Sequence, residues 1–261
     1  MNSIILAAGE GKRLRPLTTD IPKCMVKLFG KSLLEQQITT YRSCGINDIT
    51  VVTGYKNKKI NIDGINIVQN KKFDTTNMVE SLFCARRKIL DSTIISYGDI
   101  IFQKNILEKL IESTHDASVV IDLDWKKYWE MRFNNPLDDA ESLIVDSNGF
   151  ITDIGQKTQN LDNIQAQYIG LMKFQNDGIK NLVNFYDESK NNSTKVNPLN
   201  PNLPFEKSFM TDLLQGLIKS GCKIKATPIR NGWLELDSVD DYNIYEEKFS
   251  NGKLSAFFQD K

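Results

Sequence analysis

The stretch Ile4-Ile5-Leu6-Ala7-Ala8-Gly9-Glu10-Gly11-Lys12-Arg13-Leu14-Arg15-Pro16-Leu17, running on to Pro22-Lys23, decides how this chain is read. The unbroken apolar run leading to Ala7 is the pattern of a parallel strand buried on both faces. It opens into a loop of small residues, which let backbone N–H groups come close to a phosphate or a base edge. Arg13, and Lys23 directly after a proline, can then neutralise phosphate charge. A strand delivering such a loop is what is needed to hold a nucleoside triphosphate by its phosphates.

Working outward, strand and helix patterns alternate. Leu33, Leu34, Gln37, Ile38 and Tyr41 recur at helical spacing, with Gly45 as a stop. Residues 48–53 are β-branched and end at Gly54, and 65–68 form a short third strand. Residues 77–90 are expected to be helical, capped by Thr75 or Thr76. Strand 93–97 runs into Gly98-Asp99, followed by a helix near 105–113 and a strand at 117–123. This βαβα order implies an α/β fold with a mostly parallel sheet and helices on both faces. The second half differs. Residues 142–145 and 150–154 flank the turn Asp146-Ser147-Asn148-Gly149, a small inserted β region. A strand at 168–174, helices at 177–186, 209–219 and 239–249, and a strand at 223–228 complete the pattern. Residues 190–204 are polar and rich in Asn and Pro, hence a loop.

Composition excludes several functions. The chain has 261 residues, with Lys+Arg (33) equal to Asp+Glu (33), so no global field draws nucleic acid or an anionic membrane. Its four cysteines lack CxxC spacing and it has one histidine, His115, which disfavours a Cys/His zinc site and a Ser-His or Cys-His nucleophile. No run approaches a membrane span, and the first apolar stretch is too short for a signal peptide. A soluble cytoplasmic protein is expected.

Two familiar phosphate motifs fail. Gly30-Lys31-Ser32 fits the end of a P-loop, but Met25 stands at its first glycine. Gly9-x-Gly11 opens a dinucleotide fingerprint, but Leu14 stands at its last glycine. The full segment L-A-A-G-x-G-x-R-L-x-P-L-T-x-x-x-P-K, from Leu6 to Lys23, resembles the signature of the nucleotidyltransferases that join a nucleoside triphosphate to a phosphorylated acceptor. The resemblance implies a Rossmann-like fold of GT-A type. It places the nucleotide on Leu6, Ala7, Ala8, Gly9, Glu10, Gly11 and Lys12. It puts Arg13 on the phosphates that leave as pyrophosphate and Lys23 near the α-phosphate.

Joining two anions calls for a divalent cation, and Mg²⁺ prefers carboxylate and phosphate oxygens. Asp99 ends a buried strand, where ligands gather in open α/β sheets. Asp237 precedes a helix in Glu235-Leu236-Asp237-Ser238-Val239-Asp240-Asp241-Tyr242. Alone, the first is equally a turn former and the second equally a helix cap, a role for which Ser238 competes. With the first loop they resemble the family's paired metal aspartates, and the second segment is similar to the choline-phosphate cytidylyltransferase branch. Asn77-Met78-Val79-Glu80-Ser81-Leu82 resembles a segment of bacterial enzymes that activate phosphocholine, 2-aminoethylphosphonate or phosphoglutamine with CTP. That places Asn77, Ser81 and Gly98 at the nucleotide, with a helix cap as the other reading of Asn77 and a small helix residue as that of Ser81.

Trp125, Tyr128, Trp129 and Arg132 recur at helical spacing, which suits either an amphipathic packing helix or an acceptor pocket. Aromatic faces and carboxylates would receive an ammonium group, and Arg132 a phosphate or carboxylate. By analogy with the branch, Asp122, Asp139, Glu141, Tyr168, Trp233 and Glu235 join Trp125, Trp129 and Arg132 as acceptor candidates. The Trp-rich segment and Pro136–Glu141 resemble the aminoethylphosphonate and phosphoglutamine enzymes more than the phosphocholine one. The expected division is one domain over 1–261, with a nucleotide half at 1–120, an acceptor half at 121–249 and a tail at 250–261. The expected partners are CTP and a small phosphorylated acceptor, with a homodimer left open. The expected role is surface glycan or lipid decoration, as in capsule biosynthesis. A sugar-1-phosphate nucleotidyltransferase using UTP, dTTP or GTP, and an inactive regulatory relative, are the alternatives.

Overall fold

The apolar run at the amino terminus becomes an interior strand because all six of its residues are buried, leaving it no solvent face. The computed structural model describes residues 1–194 and 196–259. Lys195 in the expected 190–204 loop, and Asp260 and Lys261 in the expected tail, lie outside the described residues. In chain order the first half comprises β1 (Asn2–Ala7), β2 (Lys27–Leu28), β3 (Lys31–Ser32), α1 (Leu33–Ser43), β4 (Ile49–Thr53), β5 (Asn66–Gln69), α2 (Met78–Cys84), β6 (Ser92–Tyr97), β7 (Ile100–Phe102), α3 (Lys104–Glu112) and β8 (Ala117–Asp122). The second half comprises α4 (Trp125–Arg132), β9 (Glu141–Val145), β10 (Ile151–Lys157), β11 (Gln167–Gln175), α5 (Asp177–Asn192), α6 (Met210–Lys219), β12 (Lys225–Ile229), β13 (Trp233–Glu235) and α7 (Val239–Ser250).

Seven strands form the main sheet in the order β12-β8-β11-β6-β1-β4-β5. β1 pairs in parallel with β4 and β6, while β11 runs antiparallel between β6 and β8. The sheet is therefore mixed and mostly parallel, with apolar clusters on both faces. β9 and β10 form the inserted hairpin at the expected turn. A second ribbon, β7 against β13, was not foreseen, because three-residue strands carry too little periodicity to stand out.

Several boundaries differ from expectation, most clearly in the helices. Helix α2 stops at Cys84, and Arg86–Lys88 forms a separate 3-10 turn where the apolar spacing lapses. Its cap is Asn77, whose side chain accepts from the Met78 N–H, rather than Thr75 or Thr76. Helix α5 extends to Asn192 and takes in the start of the expected loop, because Tyr186 and Ser189 still face the core.

Candidate active site

The phosphate-type loop is shaped by close packing. Gly11 has φ 67°, and a Cβ there would lie 2.9 Å from the Cβ of Lys23, so the loop rests directly on that side chain. Thr18 Oγ1 donates to the Gly11 carbonyl at 2.8 Å, and Glu10 pairs with Arg15 and, at 3.6 Å, with Lys12. Beside the loop β6 runs out into Gly98, where a Cβ would sit 2.8 Å from Ala7 Cβ and 2.9 Å from the Leu6 carbonyl. Only glycine lets the turn carry Asp99 up against β1.

Lys23 Nζ lies 2.6 Å from Asp99 Oδ2 and 2.5 Å from Asp237 Oδ1. Arg13 Nη2 lies 3.3 Å from the same Asp237 oxygen, with its side chain 65% exposed and open to a ligand. Ser238, not Asp237, caps α7, which leaves the Asp237 carboxylate free for the site. Glu235 completes the group: one carboxylate oxygen from each of Asp99, Glu235 and Asp237 lies within 4.8 Å of the others. Asp99 Oδ1 is buried and has no hydrogen-bond partner. An all-oxygen donor set with an orphaned buried acceptor fits a hard divalent cation such as Mg²⁺.

The electrostatics follow from this crowding. Burial, reinforced by Asp237 and Asp99, pushes the Glu235 carboxyl up to about 8. Burial also works against the charge of Asp237, but Lys23 overrides it and holds that carboxyl down at about 2. Lys23 is likewise opposed by burial, yet Asp99 and Asp237 hold its ammonium above the ordinary lysine value.

Leu6, Ala7, Ala8, Gly9, Asn77, Ser81 and Gly98 line one cavity of about 110 Å³ whose wall also includes Lys23 and Asp99. Glu10, Gly11 and Lys12 lie outside this lining, on the adjoining loop. Phe73, Thr76 and Tyr97 line the cavity too and were missed; nothing in their local pattern separates them from core residues. Asn70 was also missed. Its Nδ2 donates to Thr76 Oγ1 at 2.8 Å and to Ser81 Oγ at 3.0 Å, fixing two wall hydroxyls.

The acceptor candidates divide. Tyr168 is half-buried, its ring edge-on to Tyr97 at 5.6 Å, and Asp99 and Glu141 both lie near the Tyr97 hydroxyl. Burial, with Asp139 close by, pushes Glu141 up to about 7. Asp139 Oδ2 accepts from Trp129 Nε1 at 3.1 Å.

Six acceptor candidates are corrected. Trp125, Trp129 and Trp233 are at most 5% exposed and offer no face to a ligand. Asp122 is fully buried, with its oxygens taken by Trp233 Nε1 and by the Asp124 and Asn231 N–H groups, so it secures a turn. The Arg132 side chain is 0% exposed and lies among Glu235, Asp237 and Asp241, where no acceptor can reach it. The bland alternative for α4, a packing helix, is the correct one. Glu235 moves from the acceptor group to the carboxylate group.

Residues 3–135 match the MobA-like NTP transferase domain. The chain belongs to this family. Over 95% of its length the transferase is 40% identical to the whole of the CTP:phosphoglutamine cytidylyltransferase of Campylobacter jejuni. It is 32% identical to the choline-phosphate cytidylyltransferase of Streptococcus pneumoniae, over 56% of this chain and 65% of that one. Among solved structures, the transferase superposes on the CTP:phosphocholine cytidylyltransferase of Streptococcus pneumoniae with TM-score 0.75 and 23% identity, covering 95% of this chain and 98% of that one. The inositol-1-phosphate CTP transferase of T. maritima gives TM-score 0.71 at 20% identity, covering 99% and 98%. At these identities the structures establish the shared Rossmann-like nucleotidyltransferase fold. No helix among the described residues is long and apolar enough to cross a membrane.

Proposed function

We propose that this protein is a cytidylyltransferase that joins CTP to a small phosphorylated acceptor of the phosphoglutamine class and releases pyrophosphate. The observation that carries the reaction is the convergence of Glu235 and Asp237 on Lys23 and Asp99, which line the cavity shared by the first loop and α2. The choice of CTP and of the acceptor class is supported by the full-length similarity to the Campylobacter jejuni enzyme.

In this proposal an oxygen of the acceptor phosphate attacks the α-phosphorus of CTP as the bond to the β-phosphate oxygen breaks. The products are a CDP-linked acceptor and pyrophosphate. The acceptor oxygen is already ionised near neutral pH, so no general base is required, in keeping with a chain holding one histidine. Lys23 neutralises the α-phosphate and Arg13 the departing phosphates, which is charge stabilisation and positioning. Asp99, Asp237 and Glu235 would hold Mg²⁺, which when bound neutralises phosphate oxygens. With all three tryptophans packed away, we assign the acceptor side to Tyr97, Tyr168, Asp139 and Glu141. These suit a hydrogen-bonding amine or carboxamide better than a quaternary ammonium, which needs open aromatic faces. We place the activity in the cytoplasm, supplying an activated group for surface glycans or lipids.

Pyrophosphate release should be measured with CTP, UTP, GTP and dTTP, each crossed with phosphoglutamine, aminoethylphosphonate, phosphocholine and sugar 1-phosphates. CTP with phosphoglutamine is the expected best pair. A preference for UTP or dTTP with a sugar phosphate would overturn the reading.

A further inference from the structure

Arg132 lies behind the carboxylates rather than in front of them, and its contacts are those of a clamp. Nη1 donates to Glu235 Oε2 at 2.9 Å, while Nε and Nη2 reach the two oxygens of Asp241 at 2.9 and 3.3 Å. Nη2 also lies 3.6 Å from Asp237 Oδ2. The guanidinium sits 5.3 Å from the Tyr128 ring centre and 5.1 Å from that of Phe133, which fixes its plane. Asp241 Oδ2 in turn accepts from the Asp237 and Ser238 N–H groups at 3.0 and 2.9 Å. Glu235 is held along its main chain as well. Its N–H donates to Tyr128 Oη and its carbonyl accepts from Tyr245 Oη, both at 2.8 Å, with the two hydroxyls 2.6 Å apart.

From this geometry we infer that Arg132 is a positioning residue that turns Glu235 into a third cation ligand beside Asp99 and Asp237. One face of its fork takes one Glu235 oxygen and leaves the other to the cluster. The other face grips Asp241, which holds the backbone of Asp237. Without the clamp, Glu235 loses the hydrogen bond that aims its side chain beside Asp99 and Asp237. Lysine could supply the charge but not the planar fork. The inference rests on the metal-assisted reading given above.

The test is binding of Mn²⁺ to the full chain, with and without CTP, followed by the loss of the free-ion electron paramagnetic resonance signal. Thermal melting is measured in parallel. R132K and E235Q should each weaken the Mn²⁺ Kd about 10- to 100-fold in protein that remains folded, the range expected when an outer partner or a ligand is lost. A merely structural Arg132 would lower Tm and leave the Kd of the folded protein unchanged, and that result in R132K would overturn the assignment. Wild-type Mn²⁺ affinity in E235Q would overturn Glu235 as a ligand. Should R132K fail to fold, D241N loosens the fork from its other side. At least a threefold weaker Kd in D241N supports the clamp, and an unchanged Kd overturns it. A wild-type protein that binds no Mn²⁺ in either condition would overturn the metal reading itself, an outcome distinct from variants that bind as well as wild type.

Discussion

Lys23 bridges two carboxylates contributed from sequence positions 76 and 214 residues away. Its ammonium is the group that touches both Asp99 and Asp237, whereas Arg13 and Arg132 reach only Asp237 of the two. K23A is expected to lower kcat by roughly 100- to 1,000-fold, the cost of removing one preorganised charge partner, measured by pyrophosphate release with CTP. Far-ultraviolet circular dichroism should be unchanged. Local chemistry drew attention to Lys23, Arg13, Asp99 and Asp237 through a glycine loop, a proline, a strand end and a helix start, but left the two aspartates open between turn or cap and site, and only the family resemblance paired them. Arg132 was not legible. Helical spacing tells which residues share a face, but not whether that face meets solvent or Glu235 and Asp241, 103 and 109 residues on. Glu141 supports a second test at this scale. Burial raises its folded-state pKa from 4.5 to about 7, so the folded protein binds more protons than the unfolded chain between those values. Its contribution to stability therefore falls as pH rises through that window and remains unfavourable above it. E141Q removes the titration. Relative to wild type it should gain about 1–3 kcal/mol at pH 8 and nothing near pH 4, read from urea unfolding at both values. A gap that does not change with pH would contradict the assignment.

At the scale of elements, the start of α7 serves stability and site together. Ser238 Oγ accepts from the Asp241 N–H at 3.1 Å, and Asp241 answers with bonds to the Ser238 and Asp237 N–H groups. This capping box frees Asp237 from the cap role that the sequence left open between Asp237 and Ser238. S238A should cost about 1 kcal/mol of stability and weaken metal binding as well, because the same turn aims Asp237. Thermal melting and Mn²⁺ titration of one preparation would check both, and a lower Tm with unchanged Mn²⁺ affinity would separate the two roles. The long strands were legible because an apolar run has few other uses. The β7–β13 ribbon was not, although it carries Asp99 and Glu235 to the same point. Two strands of three residues, whose paired residues lie more than a hundred positions apart, leave no period to read.

For the whole molecule, the segment after α7 matters more than its composition suggests. The sequence left 250–261 as an unassigned tail, yet Leu254 is 2% exposed and Phe258 is 7% exposed. Phe258 stacks near Phe29 with ring centres 6.3 Å apart, and Phe257 lies 6.2 Å from the Tyr128 ring. The Phe257 carbonyl accepts from the Gly232 N–H at 2.7 Å, and the Gln259 carbonyl accepts from Gln103 Nε2 at 2.9 Å. The tail thus ties down the far end of the β7–β13 ribbon, whose near end carries Asp99 and Glu235. Two large apolar side chains buried in this way are worth about 3–6 kcal/mol, which for a chain of this size corresponds to roughly 6–18 °C in Tm. A chain ending after Ser250 should show that loss. It should also bind Mn²⁺ more weakly, because Gly232, directly before β13, loses its anchor. Circular dichroism melting and Mn²⁺ titration of the shortened protein test both parts. A Tm within 2–3 °C of the full chain, about 1 kcal/mol at this size, would show that the tail is passive and that the ribbon is held by β7, α4 and α7 alone.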